Sequence, residues 1–282
     1  MHIQSAFEKY LYQDNKEGSG KASSYITALR HLQTMLQKEP LKFTDCIDLW
    51  CAPSTERLVE LRERVKVEAK RGSNSPWYLS GASSYLVKGY CSAALTQLID
   101  FLPQYQFANQ TLDLLRSHKG GEAEFADTLG RLDPAVPTAI VDDPNSKDGK
   151  ERIRETKTRI GQHAFREVIL EIYENRCCLT GIDLPEVNRA SHIIGWAERA
   201  ATRMDPRNGL CLSATYDAAF DRKLITFDKN YRLMLSKTIR ERVSNQALET
   251  HFLSREGQQL QLPQRFHPLQ EYLAVHRQGG EF

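Results

Sequence analysis

The chain has 282 residues, of which 40% are hydrophobic and 26% charged, and its formal net charge is +2. That length suits one large or two smaller globular domains, and a charge so near balance carries no global signature of a nucleic-acid or membrane-surface binder. No run of about eighteen apolar residues occurs, so no membrane span is expected. The opening MHIQSAFEKYLYQDNK lacks the basic-then-apolar order of a secretory signal. Cys46, Cys51, Cys91, Cys177, Cys178 and Cys211 are scattered and mostly set among apolar residues, which suits reduced, buried thiols and a cytoplasmic location.

Residues 4–102 read as mostly helical. In SYITALRHLQTMLQK, Tyr25, Ile26, Leu29, Leu32, Met35 and Leu36 recur at three-to-four spacing and form one apolar face. In PSTERLVELRERVKVEAKRG, Leu58, Leu61, Val65 and Ala69 do the same, with Ser54 or Thr55 as cap and Gly72 as stop. SSYLVKGYCSAALTQLIDFLP predicts a third helix, ending near Pro103. These define an α-helical N-terminal domain over residues 1–105, whose role stays open between DNA recognition, a sensor and partner binding.

Residues 106–150 read as a linker, because LDPAVPTAIVDDPNSKDGKE crowds Pro, Asp, Gly, Asn and Ser together. The second domain, 151–282, starts with a helix whose core edge is Ile160, Phe165, Ile169 and Ile172. CCLTGI then suits a knuckle-like turn, VNRASHIIGW a strand, NGLCLS a short strand opposite it, and ATYDAAFDR a two-turn helix. LITFDKNYRLMLS reads as a hairpin turning on Asp-Lys-Asn. A helix over 236–246, a short strand around QQLQLP and a last helix in HPLQEYLAVHR complete an α+β chain.

A strand ending in His, a loop, a strand opening at Asn and a polar helix form the order of a ββα-metal site. In ASHII, NGLCLS and YDAAFD the sequence resembles the HNH endonuclease family. YENRCCLTGI, DPRNGLCLS and AFDRKLITF extend the resemblance to the restriction-type bacterial subgroup, over about residues 155–276. The resemblance implies a metal-dependent endonuclease that hydrolyses DNA phosphodiester bonds, in restriction or defence against foreign DNA. His192 is then the general base, since an imidazole titrates near neutrality. Asn208 orients it, through the ring or the adjoining backbone. Two other readings remain: an inactive HNH-fold DNA-binding module, and a nuclease active only with a partner on the N-terminal domain. Such a site cuts one strand, so double-strand cleavage needs a homodimer or two successive nicks.

The family's helix usually carries a metal-binding His; this helix has none. Nine residues after Asn208 stands Asp217, the position of that ligand, and thirteen after it stands Asp221; Tyr216 is one position off. Residues four apart share a helix face, so both carboxylates can approach one ion, and hard oxygen donors favour Mg²⁺ or Mn²⁺. The residue before the base, a ligand position in the wider family, is Ser191, the weakest of the three donors. Many members of this family hold a structural zinc with two Cys-x-x-Cys pairs; here Cys177 and Cys178 adjoin and Cys211 stands alone, so no structural zinc is expected. Arg199, Arg203 and Arg207 line the His192–Asn208 loop as candidate phosphate contacts. Arg152, Arg154, Lys157 and Arg159 alternate with Glu151 and Glu155 and read as a solvated face. Trp196 is either core or a wall beside the substrate.

Overall fold

A computed structural model describes residues 3–14, 20–52, 54–137, 141, 143–242 and 245–282. The fold is α+β, helical in its N-terminal region and carrying its strands in the C-terminal part. The chain divides into two compact units, Met1–Phe107 with Pro134–Ile160 and Ala108–Asp133 with Gly161–Phe282.

The first unit contains α1 (Ile3–Asp14), α2 (Lys21–Lys38), α3 (Thr55–Arg71), α4 (Ser83–Val87) and the start of α5 (Tyr90–Ser117). On α2 the expected stripe is the buried one: Leu29, Leu32, Met35 and Leu36 are fully enclosed, with Tyr25 and Ile26 at the margin. On α3 the cap is Ser54, whose extended backbone lets Oγ accept from Arg57 N at 3.1 Å, and Gly72 ends the helix at φ 56°. Such a cap contributes about 1 kcal/mol. Phe7, Leu58, Leu61, Trp77, Leu95 and Leu98 fill the core between these helices. Glu68 is fully buried and held by Arg64 at 2.6 Å, Arg71 at 3.2 Å and the Ser75 hydroxyl at 2.8 Å.

The predicted third helix is two, split where Gly89 takes φ 80°. The second of them, α5, does not stop at Pro103 but continues to Ser117. Pro103 removes one N–H and crowds the preceding turn, at a cost of about 3 kcal/mol. Burial of Leu98, Ile99, Phe101 and Leu102 around it outweighs that cost. A boundary at 105 therefore falls inside a helix. The expected linker also contains α6 (Glu122–Gly130), which belongs to the second unit. There Phe125 lies 5.2 Å from the Phe266 ring, and Glu122 accepts from Phe266 N at 2.6 Å. The turn-forming residues of 134–150 had masked the apolar Phe125 and Leu129 just before them.

The second unit takes the end of α7 (Lys147–Ile172), then β1 (Asn188–His192), β2 (Gly209–Ser213), α8 (Ala214–Asp221), β3 (Ile225–Phe227) and β4 (Leu233–Leu235). β1 and β2 pair antiparallel, with His192 opposite Gly209 and Ser191 opposite Leu210. β3 and β4 form the expected hairpin, closed by Asp228, whose Oδ1 accepts from Asn230 N (2.7 Å) and Arg232 N (2.8 Å). The expected 236–246 helix is instead α9 (Lys237–Arg240) and α10 (Gln246–His251), because Asn245 caps a new start, accepting from Ala247 N and Leu248 N. Around QQLQLP only a single bridge forms, between Arg232 and Gln259. The last helix, α11, spans Gln270–Gln278. Among the described residues, no helix is long and apolar enough to cross a membrane.

Candidate active site

Successive residues of a strand face opposite ways, and the end of β1 uses this. Ser191 turns to α8, where its hydroxyl donates to Asp217 Oδ1 at 2.6 Å. His192 turns to α7 and stacks on Phe165, with 3.7 Å between centroids and 17° between planes. Trp196 meets the imidazole edge-on at 5.4 Å and 84°; it is a wall of the histidine pocket. Two glycines make this packing fit. A Cβ on Gly209 would stand 2.4 Å from Ile169 Cδ1 and 2.8 Å from Phe165 Cζ, and one on Gly161 would stand 2.8 Å from Trp196 Cη2.

The Nε2 atom of His192 lies 3.0 Å from the Arg203 carbonyl. A carbonyl only accepts, so the neutral ring carries its proton on Nε2 and keeps its lone pair on Nδ1. Nδ1 has no hydrogen-bond partner among the described residues. Burial pushes the imidazole down to about 4, the Arg203 carbonyl opposing. The expectation of titration near neutrality is corrected by this packing. The ring is neutral, and so able to take a proton, throughout the neutral range, though a weaker base than a solvated imidazole.

Asn208 is fully buried. Its Oδ1 accepts from Ile194 N at 2.8 Å, and its Nδ2 donates to the carbonyls of Ile194 (3.0 Å) and Thr202 (3.1 Å). Its own carbonyl accepts from Ile193 N at 2.9 Å. Of the two expected roles the backbone one is found: Asn208 clasps the chain just beyond the base and does not touch the ring.

On α8, Asp217 is half-buried and Asp221 follows one turn later. The Asp221 carboxyl is raised above its ordinary range by desolvation and then by the negative charge of Asp217. Tyr216 points elsewhere: it is buried, and its hydroxyl donates to the His251 carbonyl. The three loop arginines differ. Arg199 is exposed. Arg203 donates from Nε to the Trp196 carbonyl at 2.7 Å, its guanidinium 5.5 Å over the Trp196 ring. Arg207 forms a two-pronged ion pair with the buried Asp205, at 3.0 and 2.9 Å. A guanidinium so engaged, with 16% of its side chain exposed, braces the loop and is not presented to a phosphate.

Three braces escaped the sequence reading. Asp205 accepts from Arg207 N and from the Tyr272 hydroxyl (3.0 Å), which fixes the turn leading into Asn208. The Asp-Pro pair in MDPRN was a visible turn signal for it. Tyr272, sixty-seven positions away, left no local signal. Arg166 on α7 donates to the carbonyls of Asn188 (2.7 Å) and Pro185 (2.8 Å), anchoring the start of β1. In the CCLTGI turn, Cys177 Sγ accepts from Thr180 N (3.4 Å) and Ser213 N (3.2 Å), and Gly181 takes φ 76°. Cys177, Cys178 and Cys211 are all free and buried. Among the described residues, no three or more His, Cys, Asp or Glu side chains group so as to hold a metal ion.

Residues 177–228 match the family model described as HNH endonuclease. This segment is an HNH endonuclease domain. The match begins at Cys177 of the knuckle-like turn and ends just beyond β3, so it takes in His192, Asn208, Asp217 and Asp221. No curated protein matches the chain. The match covers this segment alone, and at the level of the domain it suggests nuclease activity on nucleic acid.

Proposed function

We propose that the chain is a metal-dependent DNA endonuclease acting in restriction or defence against foreign DNA. The observation that carries the catalytic reading is the junction of β1 with α8. The Ser191–Asp217 hydrogen bond ties the metal-ligand position of the helix to the residue beside His192, whose Nδ1 is left open. The defence role rests on the resemblance of YENRCCLTGI, DPRNGLCLS and AFDRKLITF to restriction-type domains.

His192 Nδ1 takes a proton from the attacking water as its oxygen bonds to phosphorus and the bond to the leaving oxygen breaks. Asn208 holds the backbone behind the base, so the ring keeps its place as it becomes charged. Asp217 and Asp221 would hold the ion through hard oxygen donors one helical turn apart, and its charge would favour the ionised Asp221 carboxyl against the desolvation and the Asp217 charge that raise it. Mg²⁺ or Mn²⁺, which bind through one or two carboxylates, would suit this pair. When bound, such an ion offsets negative charge at the phosphate and leaving oxygen. Ser191 orients Asp217 by donating to it. Of the loop arginines, the exposed Arg199 is the one proposed first to meet a flanking phosphate, and Arg203 next.

Incubation with supercoiled plasmid tests the reading. Relaxed circles should form with Mg²⁺ or Mn²⁺ and not with chelator. Intact plasmid in every metal, with DNA still bound, would make the chain an inactive DNA-binding module. Prompt linear product would favour a homodimer over two successive nicks.

A further inference from the structure

Lysine occupies the position that closes α8. Lys223 N donates to the Phe220 carbonyl and Leu224 N to the Ala219 carbonyl, both at 2.9 Å, the paired bonds of a Schellman stop. The residue at that turn takes positive φ and is usually glycine, because a Cβ is crowded there. Lys223 holds φ 55° with a full side chain. Room is left for its stem: a Cβ on Gly279 would stand 3.3 Å from Lys223 Cε, and one on Gly280 3.1 Å from Lys223 Cβ. The side chain is half-buried, yet its ammonium group has no hydrogen-bond or ion-pair partner among the described residues. The negative charges of Glu198, on the loop after His192, and of Asp221 both act on it. Glu198 is itself folded back, accepting from Gly195 N at 3.3 Å. A cation open to water, with no protein partner among the described residues, thus feels the charges of both the loop that follows the base and the helix that carries the carboxylates.

Charge gives this a purpose, granted the nuclease reading above. Two carboxylates one turn apart, Asp217 and Asp221, make this side of α8 negative, which opposes an incoming phosphodiester. We propose that Lys223 is a substrate-binding residue of this site, its ammonium group meeting a backbone phosphate of the nucleic acid beside Asp217 and Asp221.

Two variants of the full chain test this. Lys223→Gly removes the charge and relieves the left-handed strain; Lys223→Arg keeps the charge. Binding of a short DNA duplex is followed by anisotropy in chelator across a salt series, beside thermal unfolding and plasmid nicking. Lys223→Gly should unfold at or above the wild-type temperature and bind severalfold more weakly at low salt. Its salt dependence should be shallower by about one counterion, and Lys223→Arg should restore both. Unchanged affinity and salt slope in Lys223→Gly overturn the proposal, and a loss of stability beside unchanged binding assigns the lysine to the fold. The altered binding without any wild-type cleavage keeps the lysine's role and sinks the nuclease reading. Cleavage by wild type with unaltered Lys223→Gly binding does the reverse, and no duplex binding by wild type overturns both.

Discussion

His192 on β1 and His276 on α11 sit in pockets built alike. Each ring lies face to face with a phenylalanine at 3.7 Å between centroids, His192 on Phe165 and His276 on Phe220. Each has Nε2 on a backbone carbonyl, Arg203 at 3.0 Å and Phe220 at 3.1 Å. Burial lowers both, His192 to about 4 and His276 to about 3. They part at the other nitrogen. Nδ1 of His276 is 2.9 Å from the Thr226 hydroxyl; Nδ1 of His192 has no partner among the described residues. A buried histidine with both nitrogens bonded is a fixed strut joining α11 to β3 and the end of α8. One with a nitrogen left over keeps a lone pair for chemistry. Proton affinity does not tell the two apart; the open valence does.

The sharpest break of this comparison is to remove each ring in turn. His192→Ala should lower cleavage at least about a hundredfold, the ordinary scale of a lost general base, while duplex binding and the unfolding transition persist. His276→Ala should act the other way. Losing a ring that is 2% exposed, with both its hydrogen bonds, should cost on the order of 2–3 kcal/mol of stability. Cleavage per folded molecule should stay near wild type. Urea unfolding and initial nicking rates on both proteins separate these outcomes. Near-normal cleavage by His192→Ala would take the base away from His192.

A second contrast lies within α8, between neighbours that face apart. Asp217 is bonded to Ser191 beside the base, and Tyr216 is bonded to His251. Cleavage measured against Mg²⁺ concentration should find Asp217→Ala nearly inactive at any practical level. Asp221→Ala should need more metal to reach its maximum. Tyr216→Phe should keep most activity and lose roughly 1 kcal/mol with its hydrogen bond. The opposite ranking would mean that the tyrosine inherited the missing imidazole's role.

How far the sequence could be read followed the range of the interactions involved. The stripe from Leu29 to Leu36, the Ser54 cap and the Asp228 turn are decided within a few residues, and the structure has them as read. The order of β1, β2 and α8 was legible because ASHII, NGLCLS and YDAAFD resemble the HNH family, whose ββα order the structure has. Pro103 misled, because the local cost of a proline is plain in the sequence and the compensating burial is not. Arg207 misled for the same reason: its pair with Asp205 is local, but the Tyr272 hydroxyl that completes the node arrives from α11. The depressed basicity of His192 was equally out of reach, since it depends on Phe165 and Trp196 closing over the ring.

A pH series is the most direct check that the half-buried ring of His192 is neutral in the folded chain. An unperturbed histidine titrates near 6.5, and folding moves His192 to about 4. Between those values the unfolded chain binds a proton that the folded chain does not. Stability therefore falls as pH drops from about 6.5 toward 4, and this contribution levels off below the folded value. His276 behaves alike down to about 3, so the two slopes overlap over most of the range. One such site contributes up to about 1.4 kcal/mol per pH unit. Urea unfolding of wild type and His192→Ala at several pH values between 7 and 4.5 isolates the term, because His276 and the carboxylates are common to both. The variant's stability should depend on pH less steeply by about that amount below pH 6. Parallel curves would mean that His192 keeps an ordinary proton affinity in the folded chain, and that its ring is open to water where Phe165 and Trp196 are placed over it.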